Sequence, residues 1–286
     1  MSDLGSPSAA AGIIKKYNFD IKKKFGQNFL VDANILEKIV DAADIGDTDT
    51  VLEIGPGIGS MTQLLCERAK RVIAVEIDKT LIPVLTETLS GYDNITVINE
   101  DIMKVELERI TGEAGDGPLK VVANLPYYIT TPIIMRLLEE MDRLGSITIM
   151  VQSEVADRMR AKPSDRNYGA ISLAVQYYAK PKVITTVPPE CFMPRPKVES
   201  SVIRLECRET PPVEVESEEH MFKLIRASFN QRRKTLVNGL KNASFLPYSR
   251  EQITEALERM GLSPNVRGEV LSLEQFADLS NLLMKG

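Results

Sequence analysis

Between residues 50 and 151 the chain alternates short apolar runs with stretches of helical periodicity, and this alternation restricts the fold more than any other feature. Strands are predicted at Thr50 to Ile54, Arg71 to Ile77, Ile95 to Asn99, Leu119 to Ala123 and Ile147 to Val151. Helices are predicted at Ser60 to Ala69, Thr80 to Leu89 (with Pro83 tolerated in its first turn) and Thr131 to Met141. Such regular alternation implies a mostly parallel sheet with helices on both faces, an α/β fold of the Rossmann-like kind. Upstream, Asp32 is placed to cap a helix whose apolar face is Ile35, Leu36, Ile39, Val40 and Ala43.

After Val151 the pattern changes. A helix is expected over Ala170 to Ala179, and strands over Val183 to Val187 and Val198 to Leu205. These two strands flank the proline-rich insert Pro188 to Pro196 and would close the sheet with an antiparallel edge strand. The acidic stretch Glu206 to Glu219, with Pro211 and Pro212, reads as an interdomain linker. Beyond it the chain looks purely helical, with Phe222, Ile225, Phe229, Leu236 and Leu240 sharing one face. The resulting division is a flexible tail over 1–21, an α/β domain over 22–208 and a smaller all-helical C-terminal domain over 209–286. The small residues from Ser6 to Gly12 suggest mobility in that tail.

Composition removes several function classes. A chain of 286 residues with 43% hydrophobic content can bury a full core. No run approaches the roughly 18–20 apolar residues of a membrane span, and the N-terminus does not read as a signal peptide. Cys66, Cys191 and Cys207 are isolated, so reduced thiols and a cytoplasmic setting are expected, without a zinc site. His220 is the only histidine, which rules out a Ser-His-Asp triad in practice and any histidine metal cluster. A formal net charge of −5 argues against a generally basic nucleic-acid binder. Lys15, Lys16, Lys22, Lys23 and Lys24 nevertheless cluster near the start, and Arg232, Arg233, Lys234 and Lys241 near the end. Two such clusters on an acidic chain are compatible with a local phosphate-binding stripe.

The chemistry sits at strand ends, where open α/β sheets bind ligands. Glu53-Ile54-Gly55-Pro56-Gly57-Ile58-Gly59 follows the first strand and opens a helix. Its glycines permit a tight turn and a close backbone approach, but the spacing G-x-G-x-G departs from the dinucleotide pattern G-x-G-x-x-G. Glu53 would repel a phosphate and suits a ligand carrying an ammonium group. Glu76, about twenty residues on, is placed to accept both ribose hydroxyls of an adenosine cofactor. Asp101 ends the third strand and can read the adenine amine. After the fourth strand, Asn124-Leu125-Pro126-Tyr127 joins carbonyl acceptors and an aromatic ring, the set that an exocyclic base amine requires. A nicotinamide-dependent oxidoreductase on the same core would explain the glycines and Glu76, but not this segment.

Four segments together resemble the ribosomal RNA adenine dimethyltransferases: Lys24-Phe25-Gly26-Gln27-Asn28-Phe29-Leu30, the glycine turn, Asn124-Leu125-Pro126-Tyr127, and Phe192-Met193-Pro194-Arg195-Pro196-Lys197-Val198. The resemblance runs from about Lys22 to the C-terminus. It implies a class I methyltransferase sheet using S-adenosylmethionine, with Asn28 and Leu30 closing over the cofactor. Gly55 and Gly57 would approach its methionine moiety, Glu76 its ribose and Asp101 its adenine. Asn124, Leu125, Pro126 and Tyr127 would form the catalytic segment, with Asn124 also near the cofactor, and Tyr127 and Phe192 stacking on the flipped adenine. Two subgroups share these motifs, the small-subunit dimethylases and the large-subunit, macrolide-resistance Erm enzymes. Phe229-Asn230-Gln231-Arg232-Arg233-Lys234-Thr235-Leu236 and the long proline insert resemble the former. That implies dimethylation of two adjacent adenosines near the 3′ end of small-subunit rRNA, in a partly assembled subunit, by a cytoplasmic monomer. Arg232, Arg233 and Lys234 would bind the substrate. A non-catalytic role in ribosome assembly is compatible with that activity. A DNA adenine methyltransferase is disfavoured by Leu125, where such enzymes usually carry proline.

Overall fold

The computed structural model describes residues 4, 6–17, 28–114, 117–141 and 143–285. Lys22, Lys23, Lys24 and the 25–27 part of the first motif lie outside them. The chain forms two compact units, Met1–Ala156 with Lys180–Cys207, and Asp157–Ala179 with Arg208–Gly286.

The first described element corrects an expectation. Pro7–Lys16 is a helix, α1, where a mobile tail was read from the small residues. Alanine is the best helix former, and here Ser6 caps the helix by accepting a bond from the Ala9 N–H at 3.3 Å. Leu4 and Ala10 are fully buried, Ala10 in a cluster with Phe29, Val31, Ile58, Leu81 and Val84. Lys16 pairs with Glu87, whose other oxygen accepts from the Tyr17 hydroxyl at 2.6 Å.

The first unit continues through β1 (Phe29–Leu30), α2 (Ala33–Ala43), β2 (Thr50–Ile54), α3 (Ser60–Arg68) and β3 (Arg71–Val75). Next come α4 (Ile82–Thr88), β4 (Ile95–Ile98), α5 (Leu107–Ala114), β5 (Leu119–Asn124), α6 (Thr130–Glu140) and β6 (Leu144–Gln152). Asp32 does cap α2, accepting from the Ile35 N–H at 3.1 Å, and the five expected apolar residues are buried. Every residue of β2 is buried, as a strand covered on both faces must be. Helix α5 was not read from the sequence, because its eight residues include Gly112 and only a short apolar face.

The chain then enters α7 (Ser153–Arg160) and α8 (Ala170–Tyr178), and returns through β7 (Ala179–Val187), β8 (Phe192–Met193) and β9 (Ser200–Cys207). The main sheet has the order β4-β3-β2-β5-β6-β9-β7. Strands β2 to β6 pair in parallel, and β9 runs antiparallel to β6. The antiparallel strand is not itself the edge, since β7 lies outside it. From β2 the chain first builds outward to β3 and β4, then returns to place β5 on the other side of β2. That reversal opens a crevice at the carboxyl ends of β2 and β5, where α/β sheets bind ligands.

The second unit adds α9 (Glu218–Asn230), α10 (Leu236–Lys241), α11 (Arg250–Arg259) and α12 (Leu273–Lys285). It is drawn from two stretches of sequence, not from 209–286 alone. Tyr168, Leu173 and Tyr177 share one core with Met221, Leu224, Leu240 and Phe276, and the Tyr168 hydroxyl donates to the Leu271 carbonyl at 2.8 Å. Each large apolar side chain buried there contributes about 1.5–3 kcal/mol, so 157–179 belongs with these helices. The apolar face read as one helix from Phe222 to Leu240 is broken between Asn230 and Leu236, where Thr235 caps a new helix.

Gly268 shows how tightly this unit closes. A Cβ there would lie 1.6 Å from Ser228 Oγ and 2.9 Å from Ser228 Cβ, on the buried face of α9. Gly268→Ala is therefore expected to destabilise the protein by about 1–3 kcal/mol through overpacking. Adding Ser228→Ala removes the nearest atom and should recover part of the loss. Chemical denaturation of the two variants checks both expectations, and an unchanged midpoint in Gly268→Ala would show that the helices separate freely.

Candidate active site

The crevice is a cleft of about 1160 Å³ including its open mouth, enough for a nucleoside cofactor and a base. Its residues converge because of sheet register. Ile54 pairs with Val75 on one side and Ala123 on the other, so Gly55, Glu76 and Asn124 emerge at the same level. All three line the cleft, together with Asn28, Leu30, Gly57, Asp101, Leu125, Pro126 and Tyr127.

Gly57 has a φ of 62°, in the region that favours glycine, and a Cβ there would press to 3.1 Å from the Phe29 ring. Its N–H donates to Glu76 Oε2 at 3.3 Å, while Glu76 Oε1 accepts from the Asp78 N–H at 2.8 Å. Glu76 is only 4% exposed, and burial pushes its carboxyl up to about 7 although these backbone donors pull it back. Glu53 is fully buried, and neither of its oxygens has a hydrogen-bond partner among the described residues. Burial lifts it to about 8; Thr62 lies near enough to oppose the shift without completing a hydrogen bond, and the charge of Glu76 adds to it. The cleft thus holds two acids whose ionised forms are incompletely solvated. A ligand bringing hydroxyl donors and positive charge satisfies both, and an anionic pyrophosphate satisfies neither.

Asp101 uses Oδ1 to accept from the Met103 N–H at 2.9 Å, which leaves Oδ2 available at the cleft edge. Asn124 donates from Nδ2 to the Asn28 carbonyl at 3.1 Å. This bond ties the 124–127 segment to the first motif and frees Asn124 Oδ1 to accept. The Leu125 carbonyl accepts no bond among the described residues, whereas the Pro126 carbonyl is occupied by the Ile129 N–H at 3.2 Å and the Thr130 hydroxyl at 3.1 Å. Tyr127 is partly buried, and its hydroxyl lies 2.6 Å from Ser200 Oγ on β9, which fixes the ring.

Four expected substrate contacts stand outside the cleft lining. Phe192 is 3% exposed and packs in the core with Leu30, Ile35 and Val202, outside the cleft lining. Its backbone pairs with Leu30 in a two-stranded ribbon, so its ring backs a strand that lines the cleft. Arg232, in the second unit, bonds Glu269 at 2.8 Å and the Arg166 carbonyl at 2.7 Å. Arg233 and Lys234 are exposed and, like Lys241, have no ion-pair partner among the described residues. The sequence reading missed Phe29, Ser200 and Tyr128. Phe29 lies in the first motif between Asn28 and Leu30, and Tyr128 is the second ring of a Tyr-Tyr pair at a strand end, whereas Ser200 carried no signal. Among the described residues no group of three or more His, Cys, Asp or Glu could hold a metal ion, and no helix is long and apolar enough to cross a membrane.

Residues 18–285 match the ribosomal RNA adenine dimethylase family. The chain belongs to that family. It is 57% identical over 285 residues to the ribosomal RNA small subunit methyltransferase A of Lachnoclostridium phytofermentans, covering 99% of this chain and 98% of that one. The proteins of the same name from Bacillus pumilus (51% identical, 99% and 98% covered) and Alkaliphilus oremlandii (50%, 100% and 99%) are similar over their full lengths. Among solved structures, a dimethyladenosine transferase from Plasmodium falciparum has a TM-score of 0.71 at 27% identity, covering 87% of this chain and 94% of that one. The 23S rRNA methyltransferase ErmE has a TM-score of 0.68 at 27% identity, with 90% and 99% covered. This dimethylase therefore has the class I methyltransferase fold, and an oxidoreductase reading of its core is set aside.

The buried acids give a pH signature. A carboxyl raised in the folded state binds its proton more tightly there than in the unfolded chain. Its contribution to stability is therefore lost as pH rises from its unfolded value near 4.5 towards about 8. The thermal midpoint of the ligand-free dimethylase should fall between pH 5 and pH 8, and Glu53→Gln should flatten that fall. Calorimetry across the range tests this, and parallel profiles for the two proteins would contradict it.

Proposed function

We propose that this dimethylase methylates the exocyclic amines of two adjacent adenosines near the 3′ end of small-subunit rRNA, using S-adenosylmethionine, during assembly of the small subunit. The observation that carries the reading is Asn124, held through its Nδ2 so that its side-chain oxygen and the Leu125 carbonyl both stay free beside the cleft. The cofactor, when bound, supplies an electrophilic methyl group on a sulfonium. Glu76 fits the ribose diol, Asp101 the adenine amine, and Glu53 the ammonium of the methionine moiety.

An adenine amine is a poor nucleophile because its lone pair is delocalised into the ring. Two carbonyl acceptors on its N–H bonds favour a pyramidal nitrogen whose lone pair points along the transfer axis. Alkylation makes that nitrogen acidic, so its proton leaves without a histidine base. Orientation is then the main catalytic device, an effect worth several kcal/mol. Flipping the base costs a few kcal/mol, and stacking on the fixed Tyr127 ring offsets about 1–3 kcal/mol of it.

The small subunit is favoured over the large by the 50–57% identity to proteins named for it, against 27% to ErmE. Such a substrate places the enzyme in the cytoplasm, where it acts as a monomer on a partly assembled subunit. Arg233, Lys234 and Lys241 supply the second unit with phosphate contacts, and Arg232 shapes the turn that presents them by holding Glu269.

Two measurements test the proposal. Asn124→Ala should lower single-turnover methylation of unmodified small subunits on the order of 100-fold while changing subunit affinity little, because its acceptor bond strengthens as the amine pyramidalises. Undiminished turnover would remove Asn124 from the mechanism. Neutralising Arg233, Lys234 and Lys241 together should weaken subunit binding and reduce its salt dependence by up to about three counterions, with cofactor affinity unchanged. An unchanged salt slope would move docking to another surface.

A further inference from the structure

Two tyrosines stand side by side in the catalytic segment, and they are held in opposite ways. The Ile129 N–H donates to the Pro126 carbonyl at 3.2 Å, which makes Tyr127 and Tyr128 the central residues of a β-turn. The Thr130 hydroxyl bonds the same carbonyl, so the turn is braced twice. Tyr127 is partly buried and tied to Ser200. Tyr128 also lines the cleft, yet it is 65% exposed and its hydroxyl has no partner among the described residues. A large ring is thus kept in water on a doubly braced turn beside the cleft.

Consecutive Cα atoms lie about 3.8 Å apart, so the two rings spring from neighbouring points of one turn beside the cleft. A base drawn into the cleft leaves its neighbour unstacked at the mouth, and an unstacked base seeks an aromatic face. We propose that Tyr128 is a substrate-binding platform on which the nucleotide next to the target adenosine stacks. The inference rests on the reading of the cleft as an adenosine site and adds a contact for the base beside the target. Whichever adenosine occupies the cleft, the nucleotide on that side of it presents a π-face to Tyr128. The backbone of the turn is already ordered, so stacking costs little further conformational freedom.

The test uses full-length protein and unmethylated small subunits, with steady-state methyl transfer and cofactor binding measured side by side. Tyr128→Ala should raise the KM for subunits roughly tenfold, the scale of one lost base–aromatic stack, and leave kcat and cofactor Kd within about twofold of wild type. Tyr128→Phe and Tyr128→Trp should keep the wild-type KM, because the ring and not the hydroxyl carries the contact. Tyr128→Leu, which keeps apolar area without a π-face, should behave like Tyr128→Ala. A wild-type KM in Tyr128→Ala, or its restoration by leucine, overturns the platform while leaving the adenosine reading intact. A wild-type protein that fails to methylate small subunits overturns the adenosine reading itself, and the platform with it.

Discussion

Strand β2 is held in parallel register by β3 on one side and β5 on the other, and the cleft depends on this double pairing. Because Ile54 is level with both Val75 and Ala123, three loops leave the sheet at one height and deliver a glycine turn, a carboxylate and an amide to the same place. Slippage of either pairing by one residue would turn the side chains of that strand to the opposite face. The hydrophobic burial that fixes the register, with all five β2 residues inside the sheet layer, also fixes the spacing of the site. The geometry of the cleft is a by-product of core packing.

The register also governs electrostatics. Glu53 and Glu76 sit close to the sheet interior because they end or follow buried strands, and both pay in solvation for that position. A ligand-free cleft is therefore under electrostatic tension that a cationic, hydroxyl-bearing molecule relieves. The single histidine takes no part. His220 lies in the second unit, with Nδ1 2.7 Å from Ser280 Oγ and Nε2 2.7 Å from the Tyr248 hydroxyl. Burial lowers its basicity, and both ring nitrogens are engaged in holding helices together.

Residues at strand ends were legible in the sequence because strand position is written in local apolar runs, and a strand end fixes where the next side chain points. Glu76, Asp101 and Asn124 were found in this way, and the structure brings them to one cleft. Features that depend on distant partners were not legible. Phe192 reads as an available ring beside prolines, and only its pairing with Leu30 across the ribbon shows that it is buried. Arg232 looks equivalent to Arg233 until Glu269, 37 residues later, takes up its charge. Helix α1 was mistaken for a tail because alanine and glycine carry no apolar pattern, and its docking surface is supplied by Phe29, Ile58 and Leu81. The assignment of α8 to the helical unit likewise rests on tertiary contacts made by Leu173 and Tyr177.

The split origin of the second unit has a consequence during synthesis. Helix α8 leaves the ribosome with Leu173 and Tyr177 bare, and its partner α9, which brings Phe222 and Glu218 to Tyr177, ends about 50 residues later. At 5–20 residues per second, that apolar face waits roughly 3–10 s for its partner. Strand β9, which inserts between β6 and β7, also arrives within this interval, so the sheet cannot close ahead of it. Neither unit can be completed in order along the chain. A nascent molecule of this protein therefore carries an exposed apolar helix face until α9 has followed it.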